Sequence, residues 1–228
     1  IDSKYNQLKL TDLSILLKRG KSAKYGKSKI QIIKSGQARG WFDFDFSERH
    51  YVDESFVVDE RKLVGGDLLI NSTGVGTAGR VTYFGEDGDF VVDSHITIFR
   101  PNQDLILPKY ALCALGLIGF DNIENMALGQ SGQIELSLDI IGNIKIPVPP
   151  IDVQKQIVEE IGKVDKSVSD SMLRIDKCES DIESLLSSLN FADSTLNAIA
   201  PFAAKSIKYG DIESETYITT DNMLQNKL

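Results

Sequence analysis

The stretch Gly74-Val75-Gly76-Thr77-Ala78-Gly79 spells G-x-G-x-x-G, the spacing that cradles a dinucleotide pyrophosphate between a strand and a helix N-terminus. A strand-like run, Asp67-Leu68-Leu69-Ile70-Asn71, precedes it as that chemistry requires. The continuation does not fit. Arg80-Val81-Thr82-Tyr83-Phe84 alternates in β fashion where a helix should begin, so the glycines are expected to close a hairpin. The loop keeps a second use: Asn71, Ser72, Thr73, Thr77 and Arg80 set hydrogen-bonding side chains beside glycines that admit close backbone approach. That composition suits phosphate oxygens or base edges. Asn71-Ser72-Thr73 also matches an N-glycosylation sequon, inert without secretion.

Two further clusters have the same character. In Ser35-Gly36-Gln37-Ala38-Arg39-Gly40-Trp41, Gln37 and Arg39 are side chains that bond bidentately to adenine and guanine edges. The single Trp beside them is expected to be a buried loop anchor. Gly129-Gln130-Ser131-Gly132-Gln133 offers Gln130 and Gln133 in a polar, flexible run whose plain alternative is a surface loop. Catalytic signals are weaker. Asp93-Ser94-His95 is not a relay if it lies in a strand, because consecutive strand residues face opposite sides, and His95 is expected to be a satisfied structural histidine. No Asn/Asp-Pro-Pro-aromatic run of the kind that holds a target amine is present. With two cysteines, Cys113 and Cys178, that form no Cys-x-x-Cys pair, and two histidines, neither a disulfide framework nor a zinc site is expected.

Net charge is −8, which by itself argues against a polyanionic partner. Distribution matters more. Lys18, Arg19, Lys21, Lys24, Lys27, Lys29, Lys34 and Arg39 follow one another with no acid between them, a credible phosphate footprint. The balancing acids fall in 43–60 and 152–183, and are expected to leave one basic face. No run approaches the roughly 18 apolar residues of a membrane span, and no secretory signal opens the chain, so a cytoplasmic protein without a membrane partner is expected. Beginning at Ile1 and stopping at Leu228, the sequence is expected to be a piece of, or processed from, something longer.

The elements that must position these residues change character at Ile146-Pro147-Val148-Pro149-Pro150. Before it, 30–34, 67–71, 80–84 and 95–100 read as short strands, and 108–118, opening on Pro, reads as a buried helix. After it, Asp152 is a candidate N-cap and apolar residues recur by fours and threes. Ile161, Val168, Ile175, Ile182 and Leu189 take a positions; Ile157, Val164, Ser171, Cys178 and Leu185 take d positions. Such a narrow stripe requires a partner helix. The helix, expected to end near Asn190, would measure about 57 Å at 1.5 Å per residue. The fold class is therefore α+β: a mixed sheet-containing domain over 1–150, a coiled-coil-type helix over 151–190, and a tail over 191–228.

Taken in order, 66–81, Asp93-Ser94-His95, Ile144-Lys145-Ile146-Pro147-Val148-Pro149-Pro150 and Gln154-Lys155-Gln156-Ile157-Val158 resemble the target-recognition domain and spacer helix of Type I restriction-modification specificity subunits. The tail, with Tyr209 and Tyr217-Ile218-Thr219-Thr220-Asp221-Asn222-Met223-Leu224, resembles the opening of a second, truncated recognition domain. The resemblance implies a non-catalytic subunit whose recognition domain reads a few base pairs of double-stranded DNA. It also implies paired antiparallel helices that separate two such domains, by a distance comparable to or above the ~34 Å of a DNA turn. Methyltransferase subunits carrying S-adenosylmethionine, and restriction subunits, would dock on this scaffold. A full subunit has two recognition domains and this chain one, so a homodimer or a second half-subunit is expected through the helix. The leading contact residues are Lys21, Lys24, Lys27, Lys29, Gln37, Arg39, Thr73, Thr77, Arg80, Gln130 and Gln133. Three rivals stand: a coiled-coil adaptor, an inactive fragment without sequence-specific DNA binding, and a nucleotide-binding enzyme built on Gly74 to Gly79.

Overall fold

The computed structural model describes residues 4–127 and 134–188. In chain order the elements are β1 (Gln7–Lys9), β2 (Ser14–Arg19), β3 (Gln31–Ile33), β4 (Ala38–Gly40), β5 (Asp43–Phe44), β6 (His50–Tyr51), β7 (Leu68–Asn71), β8 (Val81–Tyr83), β9 (Phe90–Val92), β10 (Ile96–Pro101), α1 (Pro108–Ile118), α2 (Phe120–Glu124), α3 (Leu138–Asn143), β11 (Lys145–Pro147) and α4 (Ile151–Ser188). The chain divides into two units, Ile1–Ser171 and Met172–Leu228. Helix α4 contributes residues to both.

In the first unit an antiparallel sheet of order β2-β10-β7-β8 is the middle layer. Its central strands bury both faces, so β7 reads as a run of apolar residues, Leu68 to Ile70, and β10 buries Thr97 along with Ile96, Ile98 and Phe99. Leu68, Ile70 and Phe99 point into a core shared with Leu112 and Leu115 of α1, Ile141 of α3 and Ile146 of β11. Leu69, Ile96 and Ile98 point the other way, onto Ile33, Phe84, Phe90 and Val92, several of which belong to a second sheet of order β6-β3-β9. Strand period two makes this division: neighbours along β7 serve opposite cores. Pairing of β3 with β9 is parallel, Gln31 to Phe90 through Ile33 to Val92.

Helix α1 starts with Pro108 in its first turn and stops at Gly119, whose φ of 92° closes it with N–H bonds to the carbonyls of Leu115 and Gly116. Gly116 is required by contact. A Cβ there would stand 2.0 Å from the indole of Trp41. Helix α4 starts at Ile151, two residues earlier than an Asp152 cap implies: Gln154 N donates to Pro150 O at 3.0 Å, and Asp152 lies within the first turn, favoured there by the helix dipole. The start is clamped by Gln154, fully buried, whose amide accepts from Leu107 N (2.8 Å) and donates to Leu105 O (3.0 Å) and Pro149 O (2.8 Å).

Along α4, Ile157 and Val158 pack against the core of the first unit, so Ile157 is covered by its own chain. Ile161 and Val164 are exposed, as are Met172, Leu173, Ile175, Ile182, Leu185 and Leu186 in the second unit. Met172 and Leu186 follow d positions and widen the apolar stripe. The side chain of Val168, Leu189, and the tail read as a second recognition domain lie outside the described residues.

Candidate nucleic-acid interface

The C-terminal ends of β2, β3, β7 and β9 lie at one end of the first unit, and the loops that leave them are stitched together. Gly20 N and Lys21 N donate to Ile96 O (2.9 Å) and Val92 O (3.3 Å), and Asp93 N to Ile33 O (3.1 Å). Ser22 Oγ donates to Ser94 Oγ at 3.0 Å. Asn71 is fully buried; its Nδ2 donates to Ser35 O (2.9 Å) and Ala38 O (3.1 Å), tying the turn after β3 to β7. Ser72 N donates to His95 O at 2.8 Å, and Thr73 Oγ1 hydrogen-bonds His95 Nδ1 at 2.8 Å. Loops carrying Lys24 to Lys29, Lys34 to Gln37, Thr73 to Arg80 and Asp93 to His95 thus form one assembly.

The glycine loop is the hairpin connection between β7 and β8, which pair antiparallel. A strand follows it, and the strand–helix arrangement of a dinucleotide site is overturned. Gly74, Gly76 and Gly79 have φ of 96°, 74° and 83°, conformations that disfavour side chains. Gly79 also lies against α2, where a Cβ would meet Phe120 O at 2.5 Å. Gly76 N donates to Glu124 Oε1 at 2.5 Å, so α2 braces the loop from behind.

Of the candidate contact residues, Lys24, Lys27 and Lys29 are exposed, and no ion pair engages them among the described residues. Lys21 differs: its Nζ pairs with Asp59 Oδ2 at 2.5 Å. Lys18 pairs with Glu60 at 2.5 Å, Arg19 with Glu135 at 2.8 Å and Arg39 with Asp45 at 2.7 Å. The acids of 43–60 therefore do not lie apart from the basic segment; the fold brings three of them onto it and concentrates free positive charge in 24–29. The hydroxyl and N–H of Ser47 and the Arg39 guanidinium hold the Asp45 carboxyl down at about 2. Lys34 Nζ lies 4.8 Å from the centroid of the exposed Tyr25 ring, a cation–π contact within this loop group.

Gln37 is corrected from reader to clasp. It is buried, its Oε1 accepts from Lys34 N (3.0 Å), and its Nε2 donates to Asp45 O (3.3 Å) and Glu48 O (2.7 Å). Thr77 spends its hydroxyl on Thr73 O and Gly74 O, and Arg80 donates to Gly76 O at 2.5 Å; both shape the loop from within. Arg39, in β4, is exposed, and Thr73 is partly exposed. Gln130 and Gln133 lie outside the described residues. Trp41 is 46% exposed, not buried: its φ of 56° turns the indole outward across α1 to meet Phe120 at 5.3 Å between centroids. Asp93 to His95 form a turn, not strand. Asp93 Oδ1 accepts the backbone N–H of His95 at 2.9 Å, and burial pushes the Asp93 carboxyl up, opposed by the His95 N–H and charge and by Ser35 and Lys34.

The sequence model of the family described as Type I restriction modification DNA specificity domain matches residues 3–175. The chain belongs to that family. A relative from Methanocaldococcus jannaschii, "Putative type I restriction enzyme MjaX specificity subunit", is 28% identical over 167 residues, which cover 70% of this chain and 39% of the relative. Among solved structures, the HsdS subunit from Thermoanaerobacter tengcongensis aligns with a TM-score of 0.56 at 13% identity, over 85% of this chain and 52% of that one. A chain from a structure on complex assembly and conformational transition of the type I R-M system aligns with a TM-score of 0.59 at 14% identity, over 81% and 44%. At such identities the likeness is one of fold. This specificity-domain chain spans about half the length of those solved chains and less of the archaeal relative. No helix among its described residues is long and apolar enough to cross a membrane.

Proposed function

We propose that this chain is a specificity subunit, or half of one, that reads one half of a split double-stranded DNA target through the assembled loops. The reading is carried by the convergence of four loops at one sheet end, one of them bearing exposed Lys24, Lys27 and Lys29, which no ion pair engages among the described residues, and another the partly exposed Thr73. Lysines that neutralise phosphates supply affinity without sequence information, while short side chains on a rigid base read edges. The chain contributes reading; methyl transfer belongs to docked methyltransferase subunits carrying S-adenosylmethionine, with restriction subunits joining the same assembly.

The exposed stripe on α4 takes a second copy, or a second half-subunit, in antiparallel orientation. Ser171 and Cys178 are both d residues. Parallel pairing sets d against d and stacks two undersized layers, whereas antiparallel pairing sets each against an a residue, Val or Ile. Layer volume is then more even, and cavities cost stability.

Titration of a DNA duplex library at several salt concentrations tests the reading. Replacing Lys24, Lys27 and Lys29 with Ala is expected to weaken binding to all sequences and to reduce the salt slope by about one unit per lysine that meets a phosphate. Unchanged affinity and slope would remove this face from the interface. A coiled-coil adaptor would bind its helix partner and show no sequence-dependent DNA affinity.

A further inference from the structure

His95 occupies the junction of the four loops, yet nothing among the described residues uses its outer nitrogen. The side chain is exposed. Its backbone is fixed on both sides, N–H to Asp93 Oδ1 at 2.9 Å and carbonyl to Ser72 N–H at 2.8 Å. The ring is oriented by Thr73 at Nδ1, 2.8 Å away, and Ser94 is tethered to Ser22. Among the described residues no hydrogen-bond partner takes Nε2. An imidazole so held has lost the freedom that a surface histidine normally keeps, and a fixed second nitrogen is the condition for directional recognition.

We infer that His95 is a specificity-determining residue that presents Nε2–H to a hydrogen-bond acceptor on one base edge of the target, with Thr73 donating its hydroxyl to Nδ1 and so selecting that tautomer. The inference rests on the DNA-reading function proposed above and assigns one contact within it. Position separates His95 from the lysines. Lys24, Lys27 and Lys29 carry long stems in the loop after β2, suited to phosphates, while the imidazole is short and anchored between the loops. Acceptors on the major-groove edge are guanine N7 and O6, adenine N7 and thymine O4.

The experiment is selection of bound duplexes from a randomised library by the full chain, sequenced for wild type, His95→Ala, Thr73→Val and Lys24→Ala at one salt concentration. The expected result is a wild-type motif in which His95→Ala lowers the preference at one base-pair position about tenfold and leaves the others. Thr73→Val, which keeps the shape and removes the orienting hydroxyl, should relax the same position, and Lys24→Ala should weaken binding with the motif intact. Replacing purines by their 7-deaza analogues should reproduce the loss at that position if the acceptor is N7; if it does not, a loss on substituting O6 or O4 there keeps the base-edge contact. A motif unchanged by His95→Ala, or a loss spread evenly over all positions, overturns the base contact. If wild type itself selects no motif, the DNA-reading function falls and the contact with it.

Discussion

Arg39 and Asp45 show how single residues set the terms of recognition here. The guanidinium is exposed but held at 2.7 Å through Nη2 by a carboxylate that stays ionised down to about pH 2, so at neutral pH a base contact that uses Nη2 must displace Asp45. Asp45→Asn is expected to release Arg39, strengthening binding to all DNA and raising the salt slope by about one unit; unchanged salt dependence in a filter or fluorescence titration would mean Arg39 does not reach the duplex. Asp93 gives the opposite sign. Its carboxyl is raised by burial, so the folded state binds that proton more tightly than the unfolded chain. Stability is therefore lost as pH rises through the ordinary aspartate range near about 4, and the loss is complete above the folded value. Asp93→Asn, which keeps an acceptor for His95 N–H, is expected to raise Tm at pH 7 and to give no difference at pH 3; a lower Tm at pH 7 contradicts this. Burial is also what separated sequence from structure at this scale. Gln37 has the chemistry of a reader, but its amide is consumed by a turn whose partners are 3 to 11 residues away. His95 carries no local sign that it lies in a turn between two buried strands.

Elements were legible where they carry their own punctuation. Pro108 and Gly119 bracket α1, and β7, β8 and β10 fall within about a residue of the strand-like runs that foretold them. Strands β2 and β9 escaped because β2 ends in Lys18 and Arg19 and reads as part of the cationic run, while β9 is a three-residue stretch between Asp89 and Asp93, too short for propensity to mark. Gly79 and Gln154 hold elements in place. Gly79→Ala sets a side chain against the α2 backbone in a left-handed conformation, and is expected to loosen the glycine loop and reduce DNA affinity at unchanged helix content; full affinity would show that α2 does not brace the site. Gln154→Ala leaves the N–H of Leu107 and the carbonyls of Leu105 and Pro149 without their partner, at a cost of about 1–3 kcal/mol, read as a lower denaturation midpoint. For the seam of α4, Cys178 is a direct reporter. Antiparallel copies keep the two thiols in different layers, so mild oxidation is expected to give no Cys178 to Cys178 disulfide; a dimer band abolished by Cys178→Ser would establish parallel pairing.

At the level of the whole molecule, a net charge of −8 coexists with a reading face because the fold sorts its charges instead of averaging them. Three basic residues at the start of the segment and Arg39 at its end are matched by acids folded onto them, and the lysines of 24–29 are left unmatched. Sequence showed the run of eight cations; only the fold shows which of them remain free. The decisive measurement is mapping of adenine methylation in the genome of cells that express this chain with a cognate methyltransferase subunit. The expected result is a split motif in which exchanging Arg39, Thr73 and His95 alters every half that this chain reads, both in a homodimer and one beside a different half-subunit, and exchanging α4 residues alters only the gap. Methylation absent from any motif, or a motif indifferent to those loop residues, contradicts it.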